Sequence, residues 1–142
     1  MKQIFQTQKR VNFREADPAR IMFFANILDF SHDAFEDFVI KSGIGWKEYF
    51  QPSEMMIPLR HSEINFLSPL LPGETYLIEI TVNKIGSSSF QMKYIFKQEK
   101  AIHAEVTTVH VCLDRSSKKK INIPEWLRKK LEIYAQDTES KE

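Results

Sequence analysis

At 142 residues, 42% of them hydrophobic, the chain has the length of one domain with a sizeable core, and its single cysteine excludes an intrachain disulfide. The formal charge is +1 with acids and bases interspersed, which excludes the strong basic field of a nucleic-acid binder. No apolar run approaches a bilayer span and no signal-peptide pattern opens the chain, so a soluble, cytoplasmic protein without membrane insertion is expected.

Residues 2–14 contain no Gly or Pro. Val11 and Phe13 alternate with Arg10, Asn12 and Arg14, which predicts a first strand with one dry face. The preceding QTQK is polar on both faces and leaves the start of that strand undefined. A long helical pattern follows. With Phe24 as position i, Ile27, Leu28, Ser31, Phe35, Phe38 and Val39 stand at i+3, i+4, i+7, i+11, i+14 and i+15, one apolar stripe. Phe30 and Ala34 widen it, while Asp29, Asp33, Glu36, Asp37 and Lys41 mark the wet side. Ser31 is small where the stripe is deepest, so a neighbour can approach closely. Gly43 suits the left-handed position that ends a helix. The next stretch, GIGWKEYFQPSEM, reads as a loop whose Trp46, Tyr49 and Phe50 either fold back on the core or face a partner.

From Pro58 onward the period becomes two. RHSEINFLS reads as a strand, closed by Pro69 and the turn LLPGE. Tyr76, Ile78, Ile80 and Val82 alternate with Leu77, Glu79, Thr81 and Asn83. After Gly86 and three serines, Phe90, Met92, Tyr94 and Phe96 do the same. Ile102, Ala104 and Val106 continue the pattern, but Val109, Val111 and Leu113 fall out of phase. A one-residue slip predicts a β-bulge near Thr107–Thr108. DRSSKKK ends this strand, and Pro124 opens a last helix with Leu127, Leu131 and Tyr134 on its stripe. The predicted order is strand, long helix, four strands joined by short hairpins, and a short helix. One apolar sheet face must then cover one apolar helix. The expected fold class is α+β: a curved antiparallel sheet wrapped around one long central helix, the hotdog architecture. Residues 1–135 form this single domain and 136–142 a frayed polar tail.

The segment VNFREADPARIMFFANILDF resembles the start of the 4-hydroxybenzoyl-CoA thioesterase family. IPLRHSEINFLSPLLPGETY is similar to that family's second-strand and hairpin motif, and GSSSF to the hairpin flanking its coenzyme A groove. HDAFE and HVCLDRSSKKKINIPEW resemble the 1,4-dihydroxy-2-naphthoyl-CoA thioesterase subgroup. None of these motifs is specific alone; their order and spacing over most of the chain carry the likeness. It implies an enzyme that hydrolyses the thioester of an aromatic (benzoyl- or naphthoyl-type) or short- to medium-chain acyl-CoA to free acid and coenzyme A. It implies no cofactor beyond the coenzyme A of the substrate, no metal, and a homodimer or homotetramer with active sites between subunits. The sequence itself adds that an unpaired edge strand would otherwise be a liability.

Such chemistry needs N–H groups aimed at the thioester oxygen, which a helix N-terminus supplies, and a carboxylate across the carbonyl carbon. That carboxylate attacks directly or deprotonates a water. The resemblance assigns it to Asp17 and the polarising N–H to Phe24, although Asp17-Pro18 is also what a turn or cap looks like. As substrate-binding residues it suggests Asn26, His61, Ser87, Ser88 and Ser89. Each has a structural alternative: a helix-start Asn bonding nearby backbone, an interfacial strand His, a plain Ser-rich turn. Arg115, Lys118, Lys119 and Lys120 are candidates for the coenzyme A phosphates or simply solvated. Glu36 and Glu63 are second carboxylates to consider. Arg20 replaces a common Gly and can reach a carboxylate or phosphate; Ile27 replaces a common Tyr, and Glu15 the first Asp of a frequent pair. Met22, Phe23, Phe24 and Met56 are either an apolar acyl pocket or core.

Other catalytic sets find no support. There is no G-x-S-x-G elbow. Cys112 and His110 share a strand face without a third orienting group. The four His show no metal-ligand spacing, and four Gly form no phosphate loop. The remaining alternative is a catalytically silent hotdog protein that binds acyl-CoA or an acyl carrier protein, for which Asp17 would be superfluous.

Overall fold

The computed structural model describes residues 3–16 and 26–136. Its longest helix, α1 (Asn26–Lys41), buries Ile27, Phe30, Ala34, Phe35, Phe38 and Val39. These are the stripe positions, each side chain contributing roughly 1.5–3 kcal/mol when fully buried. Ser31 is fully buried too, and its hydroxyl donates to the Ile27 carbonyl of the same helix at 2.8 Å, so its polar atom is satisfied locally. Gly43 follows at φ 89°, the left-handed conformation expected past a helix end.

Against α1 lies a curved five-stranded antiparallel sheet. Its strands are β1 (Phe5–Arg10), β3 (Leu59–Phe66), β4 (Thr75–Ile85), β5 (Ser89–Gln98) and β6 (Ala101–Val111). Their order in space is β1-β4-β5-β6-β3. A ribbon of β2 (Met55–Met56) and β7 (Leu113–Asp114) closes one side. The core sits between α1 and the concave face, where Tyr76, Ile78, Phe90, Met92, Phe96 and Val106 are at most 1% exposed. A short C-terminal helix, α3 (Glu125–Ile133), adds the fully buried Leu127 and Leu131. The chain leaving α3 is tied to β4, with Val82 N–H donating to Tyr134 O at 3.0 Å.

Four sequence expectations are corrected. The first strand is FQTQKR rather than the stretch around Val11 and Phe13; Phe13 lies in a 3-10 turn and is 86% exposed. The polar strand still has an inner face because its partners are polar or aromatic. Thr7 donates to Asp37 of α1 at 3.0 Å, and Lys9 lies 4.5 Å over the Phe30 ring. Trp46–Phe50 form a short helix, α2, rather than a loop. The strand at 59–66 does not form a hairpin with its successor but crosses to pair with β6 at the far edge.

The fourth correction concerns β6. The predicted bulge at Thr107–Thr108 is absent, because β5 and β6 stay in register from Tyr94↔Val106 to Ser89↔Val111. Bulge-type irregularities fall instead at Leu59/His61, Val82/Lys84 and Phe96/Lys97. Ala104, Val106, Thr108 and His110 all face inward, so two polar side chains occupy core positions.

Candidate active site

Asp17, Phe24, Arg20, Met22 and Phe23 lie outside the described residues. The two flanks of their segment are held together. On the near side, Val11 exchanges backbone bonds with Glu74 and Gly73 at 3.0 and 2.8 Å. Glu15 is fixed by Lys9 at 3.3 Å and by the Asn12 N–H at 2.7 Å. On the far side, Asn26 Nδ2 donates to the Glu15 carbonyl at 2.8 Å, across eleven positions of sequence. Asn26 is therefore a clasp between the ends of this segment, the backbone-bonding alternative of its two readings.

The other predicted binding residues divide. His61 and Ser89 meet in a groove of about 370 Å³ on the outer sheet face, together with Arg60, Lys84, Gln91 and Val109. Its cations and amide make it polar, and its residues come from four strands whose register places His61 opposite Val109, Val109 opposite Gln91 and Gln91 opposite Lys84. His61 Nε2 lies 3.1 Å from Glu63 Oε2, with both side chains more than half exposed. Such a pair contributes at most about 1 kcal/mol. Ser87 and Ser88 do not line this groove. Their carbonyls accept from Ile123 N–H and Cys112 N–H, both at 2.8 Å, and so pin the β4–β5 turn to the chain entering α3 and to the end of β6.

The basic run is placed elsewhere. Arg115 is spent on the backbone, donating to Pro52 O and Met55 O at 3.0 Å each. Lys118 Nζ donates to Arg115 O at 2.9 Å within the same turn. Neither they nor Lys119 and Lys120 line the outer groove.

A second pocket, of about 280 Å³, opens on the inner side between α1, α2 and β6. Phe35, Phe50, Met56 and Leu59 supply apolar walls, and Met56 is the one of the four acyl-pocket candidates that lies among the described residues. Glu36 stands at its rim and accepts from Trp46 Nε1 at 2.7 Å. Glu36 and Glu63 therefore serve opposite faces of the sheet.

Tyr49, Tyr94 and His110 form the polar floor of this pocket. Tyr94 Oη lies 3.0 Å from Thr108 Oγ1, which lies 2.9 Å from His110 Nε2; His110 Nδ1 lies 3.4 Å from Tyr49 Oη. The His110 ring is sandwiched between Phe35 and Phe90, at centroid distances of 4.7 and 5.0 Å with near-parallel planes. Burial, assisted by the His32 imidazole, pushes its pKa down to about 3, so it is neutral at pH 7. Burial likewise raises the Tyr49 and Tyr94 phenols, and lifts the Cys112 thiol to about 11 against the pull of Arg128. A neutral imidazole beside a protonated thiol is no nucleophilic pair. Sequence reasoning misses this chain because a one-residue slip at Thr107–Thr108 puts Val109 and Val111, rather than Thr108 and His110, on the inner face. Uninterrupted alternation from Ala104 would have placed both inside.

A long helix held against a curved five-stranded antiparallel sheet defines a hotdog domain, here with a pocket on each sheet face. Residues 11–131 match the Thioesterase-like superfamily, and the chain belongs to it. It is thereby an enzyme of the thioesterase class. A 1,4-dihydroxy-2-naphthoyl-CoA hydrolase of Nostoc punctiforme is 32% identical over 138 residues, covering 97% of this chain and 93% of that one. A namesake from Thermosynechococcus vestitus is 30% identical over 85% of this chain and 86% of its own. Among solved structures, a 1,4-dihydroxy-2-naphthoyl-CoA thioesterase from Synechocystis superposes with a TM-score of 0.83 at 22% identity, covering 91% and 96% of the two chains. A gentisyl-coenzyme A thioesterase gives 0.77 at 20% identity, covering 90% and 99%. At these identities the structural likeness speaks for the fold alone.

Proposed function

We propose that this protein hydrolyses the thioester of an aromatic acyl-CoA, of benzoyl or naphthoyl type, to the free acid and coenzyme A. The observation that supports this most is the near full-length match to relatives named as 1,4-dihydroxy-2-naphthoyl-CoA hydrolases. In this reading Asp17 is the nucleophile or general base, and the Phe24 N–H polarises the thioester carbonyl. As general base, the carboxylate takes a proton from water while the water oxygen bonds to the carbonyl carbon. The oxyanion collapses, the C–S bond breaks, and the departing thiolate takes up the proton. As nucleophile, the carboxylate itself displaces the thiolate, and water then opens the resulting anhydride. Neither route calls for a cofactor or metal.

Asn26 supports either route by clasping the ends of the segment that carries Asp17 and Phe24. The outer groove suits the coenzyme A portion, with Arg60 and Lys84 as phosphate partners and His61 and Ser89 beside the pantetheine. Arg20 is a further candidate for an anionic group. The outer edge of β3 has no strand partner among the described residues, so two copies can join their sheets there, as a cytoplasmic homodimer or homotetramer with shared sites. No helix among the described residues is long and apolar enough to cross a membrane.

The test is turnover of a panel of acyl-CoAs, followed with a thiol reagent, for wild type and Asp17→Asn. The substitution is expected to lower kcat by roughly 10²–10⁴-fold. Unchanged turnover would move the chemistry to Glu36 or Glu63. Tight binding without turnover by wild type would favour the silent acyl-CoA binder.

A further inference from the structure

Every polar side chain that lines the outer groove is a cation, an imidazole, an amide or a hydroxyl; none is a carboxylate. Register puts Lys84, Gln91, Val109 and His61 in one row across β4, β5, β6 and β3. Arg60 adds a second fixed cation at the β3 end of that row. The acid bound at this end is Glu63, 3.1 Å from His61. Neither Arg60 nor Lys84 has a carboxylate partner among the described residues. The groove therefore carries two uncompensated positive charges.

The end of the described chain is aimed at the same row. Beyond α3 it runs beside β4, past the point where the β1 pairing stops at Phe5↔Ile80. Val82 N–H donates to Tyr134 O at 3.0 Å, and Gln136 N–H donates to Val82 O at 3.3 Å. The Gln136 side chain donates to Gln3 O at 3.2 Å and fixes the point of departure. Parallel pairing sets the direction, because the chain passes Val82 pointing along β4 toward Lys84, two positions on. Residues 137–142, which lie outside the described residues, read DTESKE: Asp137, Glu139 and Glu142 against a single Lys141. Six residues span at most roughly 20 Å. The three strand spacings from β4 to β3 come to about 14 Å, so the whole row is within reach.

We infer that residues 137–142 lie across the outer groove as a built-in anion, with their carboxylates on Lys84, Arg60 and His61, and compete there with an anionic ligand. The competition rests on the reading above, which puts the coenzyme A phosphates in this groove, and it makes the segment a brake on coenzyme A binding. The contact need not be strong. A tether this short presents its carboxylates at an effective concentration of the order of millimolar, so a contact with a millimolar dissociation constant fills the groove about half the time. Salt loosens it, as it loosens other pairings of exposed charges.

Two measurements test this, the first without reference to catalysis. A nitroxide attached through Ser140→Cys, in a chain whose own Cys112 is fully buried, broadens the amide NMR signals of the residues it lies beside. At low salt, broadening is expected at Lys84, Gln91, Val109 and His61. Combining Asp137→Asn, Glu139→Gln and Glu142→Gln, or adding salt, should remove it from Val109 and His61. Broadening confined to α3 and β1, or unchanged in the neutralised variant, would overturn the placement. The second measurement is calorimetric titration with free coenzyme A. The triple variant should bind about twofold tighter than wild type at low salt, with the difference gone at high salt. With the broadening as expected, equal affinities would overturn the competition. The expected broadening in a protein that binds no coenzyme A would keep the segment in the groove and remove the groove from the hydrolase reading.

Discussion

Strands β5 and β6 present two sites back to back, and the same residue type behaves differently on each side. His110 points inward, stacked between Phe35 and Phe90 and bonded to Thr108. His61 points outward beside Val109, with its side chain 54% exposed and its bond shared with an exposed glutamate. Inside, desolvation decides which protonation state exists, and each polar contact matters because nothing replaces it. Outside, water screens the charge and replaces a lost partner at little cost. The comparison assigns tasks. The dry side can discriminate between ligands by one hydrogen bond, while the wet side can hold a long, charged ligand by many weak contacts.

The largest effect that tests this contrast is acid destabilisation. The unfolded chain protonates a histidine near 6.5, but folded His110 resists protonation down to about 3. Between those values the unfolded state binds the proton and the native state does not. Stability from this group is therefore complete above pH 6.5 and falls as pH drops, by roughly 1.4 kcal/mol per pH unit, until the folded pKa is reached. In urea titrations from pH 7 to pH 4, His110→Gln should show a shallower acid limb than wild type. Parallel limbs would mean that His110 is not held neutral, and the inside–outside distinction would fail.

Next in size is Thr108→Val. The change keeps the shape but leaves His110 Nε2 and Tyr94 Oη without their shared partner, at a cost of about 1–3 kcal/mol. Thermal unfolding at pH 7 measures it. A stability equal to wild type would show that water reaches these atoms, and the dry character of the inner pocket would have to be abandoned.

How much of this was visible in the sequence depends on whether a residue obeyed the average chemistry of its position. α1 was legible because Ile27, Phe35, Phe38 and Val39 are apolar where a helix buries them. β4 and β5 were legible for the same reason at period two. Misreadings arose where polar residues face inward. Thr7 and Lys9 are answered by Asp37 and the Phe30 ring, and Thr108 and His110 by each other and two tyrosines. Apart from the Thr108–His110 bond, these pairings join residues 14 to 61 positions apart, which a local pattern does not register. The crossing of β3 to the far edge escaped for a related reason: sequence neighbours favour a hairpin, and only the β6 partner shows otherwise. Asp17 and Phe24 were nominated by likeness to a family, whereas Tyr49, Tyr94, Thr108 and His110 came to light only through geometry.

The smallest effects belong to the outer groove. His61→Ala removes an exposed pair with Glu63 and should change stability by no more than about 0.5 kcal/mol. A larger loss would mean that this face is covered, for instance by a second copy of the chain. Arg60→Gln and Lys84→Gln remove the two fixed cations that line the groove. If coenzyme A phosphates lie there, each change should raise KM for an acyl-CoA severalfold at low salt, leave kcat nearly unchanged, and matter less as salt is added, because exposed charges are screened over about 8 Å at physiological ionic strength. An Arg60→Gln or Lys84→Gln variant that also changed the acid limb set by His110 would show the two faces to be coupled through β5 and β6, and the division of labour between the dry and wet faces would no longer hold.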